Sequence, residues 1–204
     1  MDLYPNGRGL AVWLGVVCLL VVVHVFASGG TFTIRSTTLN AVAITPETTL
    51  SRWWNHVVAG FFHTTPIHLA FNVALFSLAF PFAIRGQSLW ATLASAYAVS
   101  LFGVLLLHLA VVRPLAAAGL PYAVQAMTIP LVGFSVVAYA TAGMAVAGIA
   151  SPLLALGLGA TVVVFEAAAG LGGFTGPFIF VYHLTGFLAG LGPRGFAIIP
   201  RVAP

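Results

Sequence analysis

The chain has 204 residues, 61% of them apolar and only 5% charged. A soluble domain carries about a quarter charged residues, so this composition excludes a globule clothed for water and describes a polytopic membrane protein. The seven basic residues are all Arg, set against Asp2, Glu47 and Glu166, for a net charge of +4. Because the arginines stand singly between apolar runs, they read as flanking charges and not as a nucleic-acid surface. Cys18 is the single cysteine, which excludes an internal disulfide and a cysteine metal site.

A helix crossing hydrocarbon needs about 20 mostly apolar residues. On that measure the sequence predicts one domain over 1–204, an all-α bundle of six spans at 10–28, 66–84, 89–112, 129–150, 152–172 and 176–192. The first run follows Arg8 and precedes Ala27-Ser28-Gly29, as a signal peptide would. It is long for one, so a retained anchor is expected. With the N-terminus inside, Arg8, Arg85, Arg194 and Arg201 are cytoplasmic, and Arg35, Arg52 and Arg113 lie outside. Arginine placement favours that orientation by four to three. Between spans 1 and 2, residues 29–65 carry Trp53-Trp54 beside an apolar stretch, the composition of a loop lying in the headgroup region.

Polar side chains inside spans are costly and usually face the bundle interior. Spans 2, 4 and 6 start on the same side. His68 and Asn72 open span 2, Ser135 lies about two turns into span 4, and His183 about two turns into span 6. All sit at similar depth, roughly 5–10 Å below the outer boundary. His68 and Asn72 share a helix face, as do Ser135 and Tyr139. His183, Gly186 and Gly190 follow one face of span 6, the glycines forming a GxxxG that permits close helix approach. A serine beside an imidazole is a minimal nucleophile and base. Taken singly, each residue has a packing explanation: serine bonded to its own preceding turn, histidine in the core, asparagine between helices. Their coincidence at one depth points to a site.

These residues resemble the motifs of rhomboid intramembrane serine proteases. The family's H-x4-H-L-x2-N pattern is complete as His63…His68-Leu69…Asn72, its G-x-S segment reads Gly133-Phe134-Ser135 with Tyr139 following, and its H-x-x-G-x-x-x-G is matched by His183, Gly186 and Gly190. The resemblance implies a six-helix rhomboid-like bundle with an interfacial first loop. It also implies a serine-type endopeptidase that cleaves transmembrane segments of other membrane proteins with a Ser–His dyad. Ser135 would be the nucleophile and His183 the base and then acid. His68 and Asn72 would donate to the oxyanion. Tyr139 would pack on the His183 ring, Gly133 would allow close approach ahead of the serine, and His63 would hold the first loop to the start of span 2.

The chemistry suits these residue types. A neutral imidazole with a pKa near 6.5 can take the serine proton, and preorganised donors must balance the oxyanion in a low-dielectric site. The Ser135 N–H is free for that task if span 4 turns helical only near Gly133, so a late helix start after an irregular segment is expected, with that segment facing a wet cavity.

The sequence departs from the family at Val136, where a β-branched residue would crowd the sixth helix or the substrate, at Val181-Tyr182, and at Ile84-Arg85-Gly86, where a glutamate is usual. Glu166 in span 5 would either orient a site histidine or, as expected here, sit protonated against a neighbouring helix. His24 and His108 read as interfacial and structural. No cofactor or metal is implied: a zinc site of the three histidines of spans 2 and 6 would lack a carboxylate or cysteine to complete it. The implied partners are single-pass or other transmembrane substrates and the lipid bilayer, in the cell membrane. A non-catalytic relative that grips transmembrane helices of client proteins is the alternative. A small transporter is a third reading, without the inverted repeat or broken helices of that class.

Overall fold

The computed structural model describes residues 7–84, 89–149, 151–171 and 177–195. The described residues are helical, apart from turns, extended stretches and one isolated antiparallel bridge between Ile44 and Leu131. In chain order, α1 is Gly7–Ser28, α2 is Ser36–Val42, α3 is Asn55–Val58, α4 is Pro66–Ala83 and α5 is Leu89–Leu106. A π-helical turn over Leu107–Val112 leads into α6, Arg113–Ala117. Then come α7, Pro121–Ala126; α8, Ser135–Gly148; α9, Pro152–Leu171; and α10, Pro177–Gly195. Among the described residues, three stretches are long and apolar enough to cross a membrane: Arg8–Ser28, Pro66–Ala83 and Leu89–Ala117. Ser135–Gly148, Leu153–Ala168 and Ile179–Gly192 are apolar but shorter.

The helices fall close to their expected positions, with one instructive difference. The fourth run does not begin at residue 129; α8 starts at Ser135 after an irregular segment, the late start expected near Gly133. The expected ends at 172 and 176, and Arg85 and Arg201, lie outside the described residues.

Helix α8 is the axle of the bundle. Every residue from Ser135 to Ala145 is buried, enclosed by α4, α5, α9 and α10. Its closest neighbour is α10, and small residues make that possible. A Cβ on Gly186 would fall 2.6 Å from the Val136 carbonyl oxygen, one on Gly190 2.0 Å from that of Ala140, and one on Gly143 2.2 Å from that of Phe187. The crowding expected from Val136 is therefore absorbed by Gly186, which has no side chain to oppose it. On the other side, α4 packs Leu75, Phe76 and Phe80 into the core, with the Phe76 and Phe80 rings stacked at 4.8 Å. In contrast, α9 leaves Leu153, Leu156, Val163 and Val164 exposed on its outer face. That surface suits lipid.

The first loop folds back onto the bundle. Asn55 is buried and its amide donates to the carbonyls of Ala41 and Ala43. The Thr49 hydroxyl joins His56 Nε2 and His108 Nδ1, each at 2.8 Å, and His108 Nε2 joins the Tyr182 hydroxyl at 2.8 Å. His108 and His24 are packed inside the protein as structural residues: His108 is fully buried, and His24 is buried with Nδ1 3.1 Å from the His63 carbonyl. Buried imidazoles need such partners, because an unpaired polar group in a low-dielectric interior is costly. Trp53 and Trp54 stay exposed.

The α8–α10 contact predicts that Gly190→Ala destabilises the fold by about 1–3 kcal/mol through overpacking. Gly192→Ala, at a helical position with nothing within 4 Å, should leave stability unchanged or raise it by up to about 1 kcal/mol. Unfolding in mixed detergent micelles compares the two.

Candidate functional site

Three local structures bring the expected residues to one cavity. The first is the start of α4. The Thr65 hydroxyl caps the helix by accepting from the His68 N–H at 3.1 Å, and Pro66 occupies the first turn, where a missing N–H costs nothing. This fixes His68 in the opening turn and Asn72 one turn below it. The Thr64 hydroxyl lies 3.2 Å from His68 Nδ1; a hydroxyl donating there leaves the Nε2–H free to serve as a donor.

The second is the extended segment before Ser135. Leu131 exchanges two backbone hydrogen bonds with Ile44, at 3.1 and 2.8 Å, and the Gly133 N–H donates to the Ala59 carbonyl at 2.9 Å. The Phe134 N–H donates to His63 Nε2 at 3.2 Å. His63 therefore does more than tie the first loop to α4: its ring binds the backbone next to the serine. Gly133 has φ +108°, a conformation that L side chains rarely adopt, and a Cβ there would lie 2.7 Å from the His68 ring. After this segment α8 begins, so the N–H groups of its first turn have no partner within the helix.

The third is the α8–α9–α10 junction. The Tyr139 ring stacks on His183 with centroids 4.3 Å apart and planes 10° from parallel. His183 Nδ1 lies 2.6 Å from Glu166 Oε2, and the Tyr139 hydroxyl donates to that same oxygen at 2.5 Å. Glu166 thus meets a site histidine directly, against the expectation that it serves only to bond a neighbouring helix. Its sequence signal was its standing as the sole acidic residue within an apolar run.

Between these structures lies a cavity of about 120 Å³, lined among others by His68, Asn72, Ser135, Tyr139, Phe165 and His183. It has room for several waters. Ser135 is 2% exposed and His183 5%. Two polar atoms at the site, Asn72 Nδ2 and His183 Nε2, are buried without a hydrogen-bond partner. Ser135 and His183 share this cavity without a hydrogen bond to Nε2, and such contacts are often long in unliganded sites and tighten around substrate. Among the described residues no three of His, Cys, Asp and Glu group as metal ligands would.

Burial, with the neighbouring imidazoles of His68 and His24, holds the His63 imidazole down to about 3. Burial likewise lowers His56, partly offset by its hydrogen bond to the Thr49 backbone. Each is neutral when folded, whereas the unfolded chain takes up a proton below the ordinary value of 6.5. Stability should therefore fall as pH drops from 6.5 toward 3, the unfolded state binding more protons in that window. Melting in detergent between pH 7.5 and 5 should show this slope, and His63→Gln should make it shallower, leaving the part due to His56. Separately, Gly133→Ala should cost about 1–3 kcal/mol from backbone strain alone, measured by the same melts at neutral pH.

The chain matches no family model, no curated protein and no solved structure.

Proposed function

We propose that the chain is a rhomboid-like intramembrane serine endopeptidase that cleaves transmembrane segments of other membrane proteins. In this reading α1, α4, α5 with its extension through α6, α8, α9 and α10 are six spans of a multi-pass protein in the cell membrane, and the first loop lies in the headgroup region. One observation carries the proposal. A serine at a helix start and an imidazole with a free nitrogen line one buried cavity, together with a partnerless amide donor on a third helix.

The reaction follows from those groups. Ser135 Oγ attacks the scissile carbonyl carbon while His183 Nε2 takes the hydroxyl proton. The resulting oxyanion receives hydrogen bonds from Asn72 Nδ2, His68 and the free N–H groups at the start of α8. Collapse of the intermediate breaks the C–N bond, and His183 returns its proton to the leaving amine. A water then gives its proton to His183 and attacks the ester, releasing the acid and restoring Ser135. The cavity between the helices supplies that water where hydrocarbon would not. Tyr139 keeps the ring from turning away, since stacking at 4.3 Å leaves the imidazole only in-plane freedom.

Reconstitution in liposomes with a single-pass reporter substrate tests the proposal. Wild type should cut the reporter near its outer end, and both Ser135→Ala and His183→Ala should abolish cutting. Asn72→Ala should slow it by about 10²–10³-fold, the usual effect of losing one oxyanion donor. Reporter that binds wild type but stays whole would overturn the assignment in favour of a client-binding protein, and cutting that survives Ser135→Ala would overturn Ser135 as the nucleophile.

A further inference from the structure

The Ser–His pair described above has a third member that a dyad does not require. Glu166 on α9 reaches His183 on α10, and Tyr139 on α8 reaches the same carboxylate oxygen. Three helices thus converge on one oxygen atom, on the side of the imidazole opposite its free Nε2. Glu166 is only partly exposed, with 12% of its side chain accessible.

Two proton arrangements fit a carboxyl group 2.6 Å from Nδ1. A protonated glutamate would donate to Nδ1, leaving the proton on Nε2 and the ring useless as a base toward Ser135. An ionised glutamate would accept from Nδ1–H, leaving the Nε2 lone pair facing the cavity. The tyrosine decides between them. Its hydroxyl donates to Oε2, so this oxygen is already an acceptor and poorly suited to carry a proton toward Nδ1; its remaining lone pair can accept from Nδ1–H, the arrangement an ionised carboxylate makes.

We infer that Glu166 is the positioning residue of a Glu166–His183–Ser135 triad: its carboxylate holds the proton on His183 Nδ1, aims the Nε2 lone pair at Ser135, and balances the imidazolium formed when the serine proton is taken. Tyr139 completes the arrangement by fixing both partners at once, stacked on the ring and bonded to the carboxylate. The inference rests on the protease reading for its catalytic half, while its control of the tautomer stands apart from cleavage.

The test therefore has two readouts on the full-length chain. In ¹⁵N-histidine NMR spectra of protein in bicelles, with the His183 signals assigned from His183→Gln, wild type should carry the proton on Nδ1. In Glu166→Gln the amide can donate to Nδ1, and the proton should move to Nε2. In the liposome assay, Glu166→Gln should lower kcat by roughly 10²–10⁴-fold, the scale seen when a triad carboxylate becomes an amide, with KM little changed. Glu166→Asp separates charge from packing. A carboxylate role predicts that Asp keeps the wild-type tautomer and more activity than Gln, whereas a packing role predicts the reverse, because Gln is the closer match in shape. Wild-type activity in Glu166→Gln, an unchanged tautomer, or Gln outperforming Asp overturns the inference while the protease reading stands. A wild type that binds the reporter without cutting it, with the tautomer still switching, overturns the protease reading and upholds the control of the ring by Glu166.

Discussion

The close approach of α8 and α10 is the constraint on which the rest depends. In a bilayer, helices gain little by hiding apolar surface from one another, because lipid tails are equally apolar, and packing must supply the association. Gly186 against Val136, Gly190 against Ala140 and Gly143 against Phe187 let the two backbones meet at a distance no larger residues allow. That contact fixes the register between the helices. Register then puts Tyr139 flat on His183 and puts His183 on the same cavity as Ser135. A side chain at any of these three glycines would push the two backbones apart.

A second device acts at right angles to the first. The first loop, lying between α1 and α4, grips the backbone just ahead of Ser135 through Ile44, Ala59 and His63. This holds residues 131–134 out of the helix, with Gly133 at φ +108°, and delays the start of α8, so the N–H groups of its first turn have no partner within the helix. The same loop reaches the far end of the site through Thr49, His108 and Tyr182, the last being the neighbour of His183. Loop and helices therefore share one polar scaffold, and each buried imidazole in it finds a partner that hydrocarbon would not provide. The π-helical turn at Leu107–Val112 belongs to this scaffold, since it carries His108.

These two devices explain why the polar groups of the cavity are tolerated. His183 Nε2 and Asn72 Nδ2 lack protein partners, a cost that a packed core does not accept without cause. They border a space large enough for water.

The helices were legible in the sequence because apolar runs of membrane-crossing length leave few other structures open. The start of α4 follows from a local Thr-Pro cap, and the sharing of faces by His68 with Asn72, and by Ser135 with Tyr139, follows from the 3.6-residue repeat. The GxxxG of α10 named its packing face. Other features rested on contacts between residues far apart in the chain, and no local pattern carries those. The late start of α8 was expected from the chemistry asked of Ser135, but the contacts of Ile44, Ala59 and His63 that hold the preceding backbone out of the helix were not. The burial of His108 depends on Thr49 and Tyr182, which lie 59 and 74 residues away. The meeting of Glu166 with His183 depends on the rotation of α9 about its own axis, which a helix apolar on all sides does not encode. Sequence therefore determined which segments are helices and which face of several carries polar groups; tertiary packing decided which of those groups touch, because in a chain this apolar only the exclusion of shape by shape distinguishes one helix rotation from another.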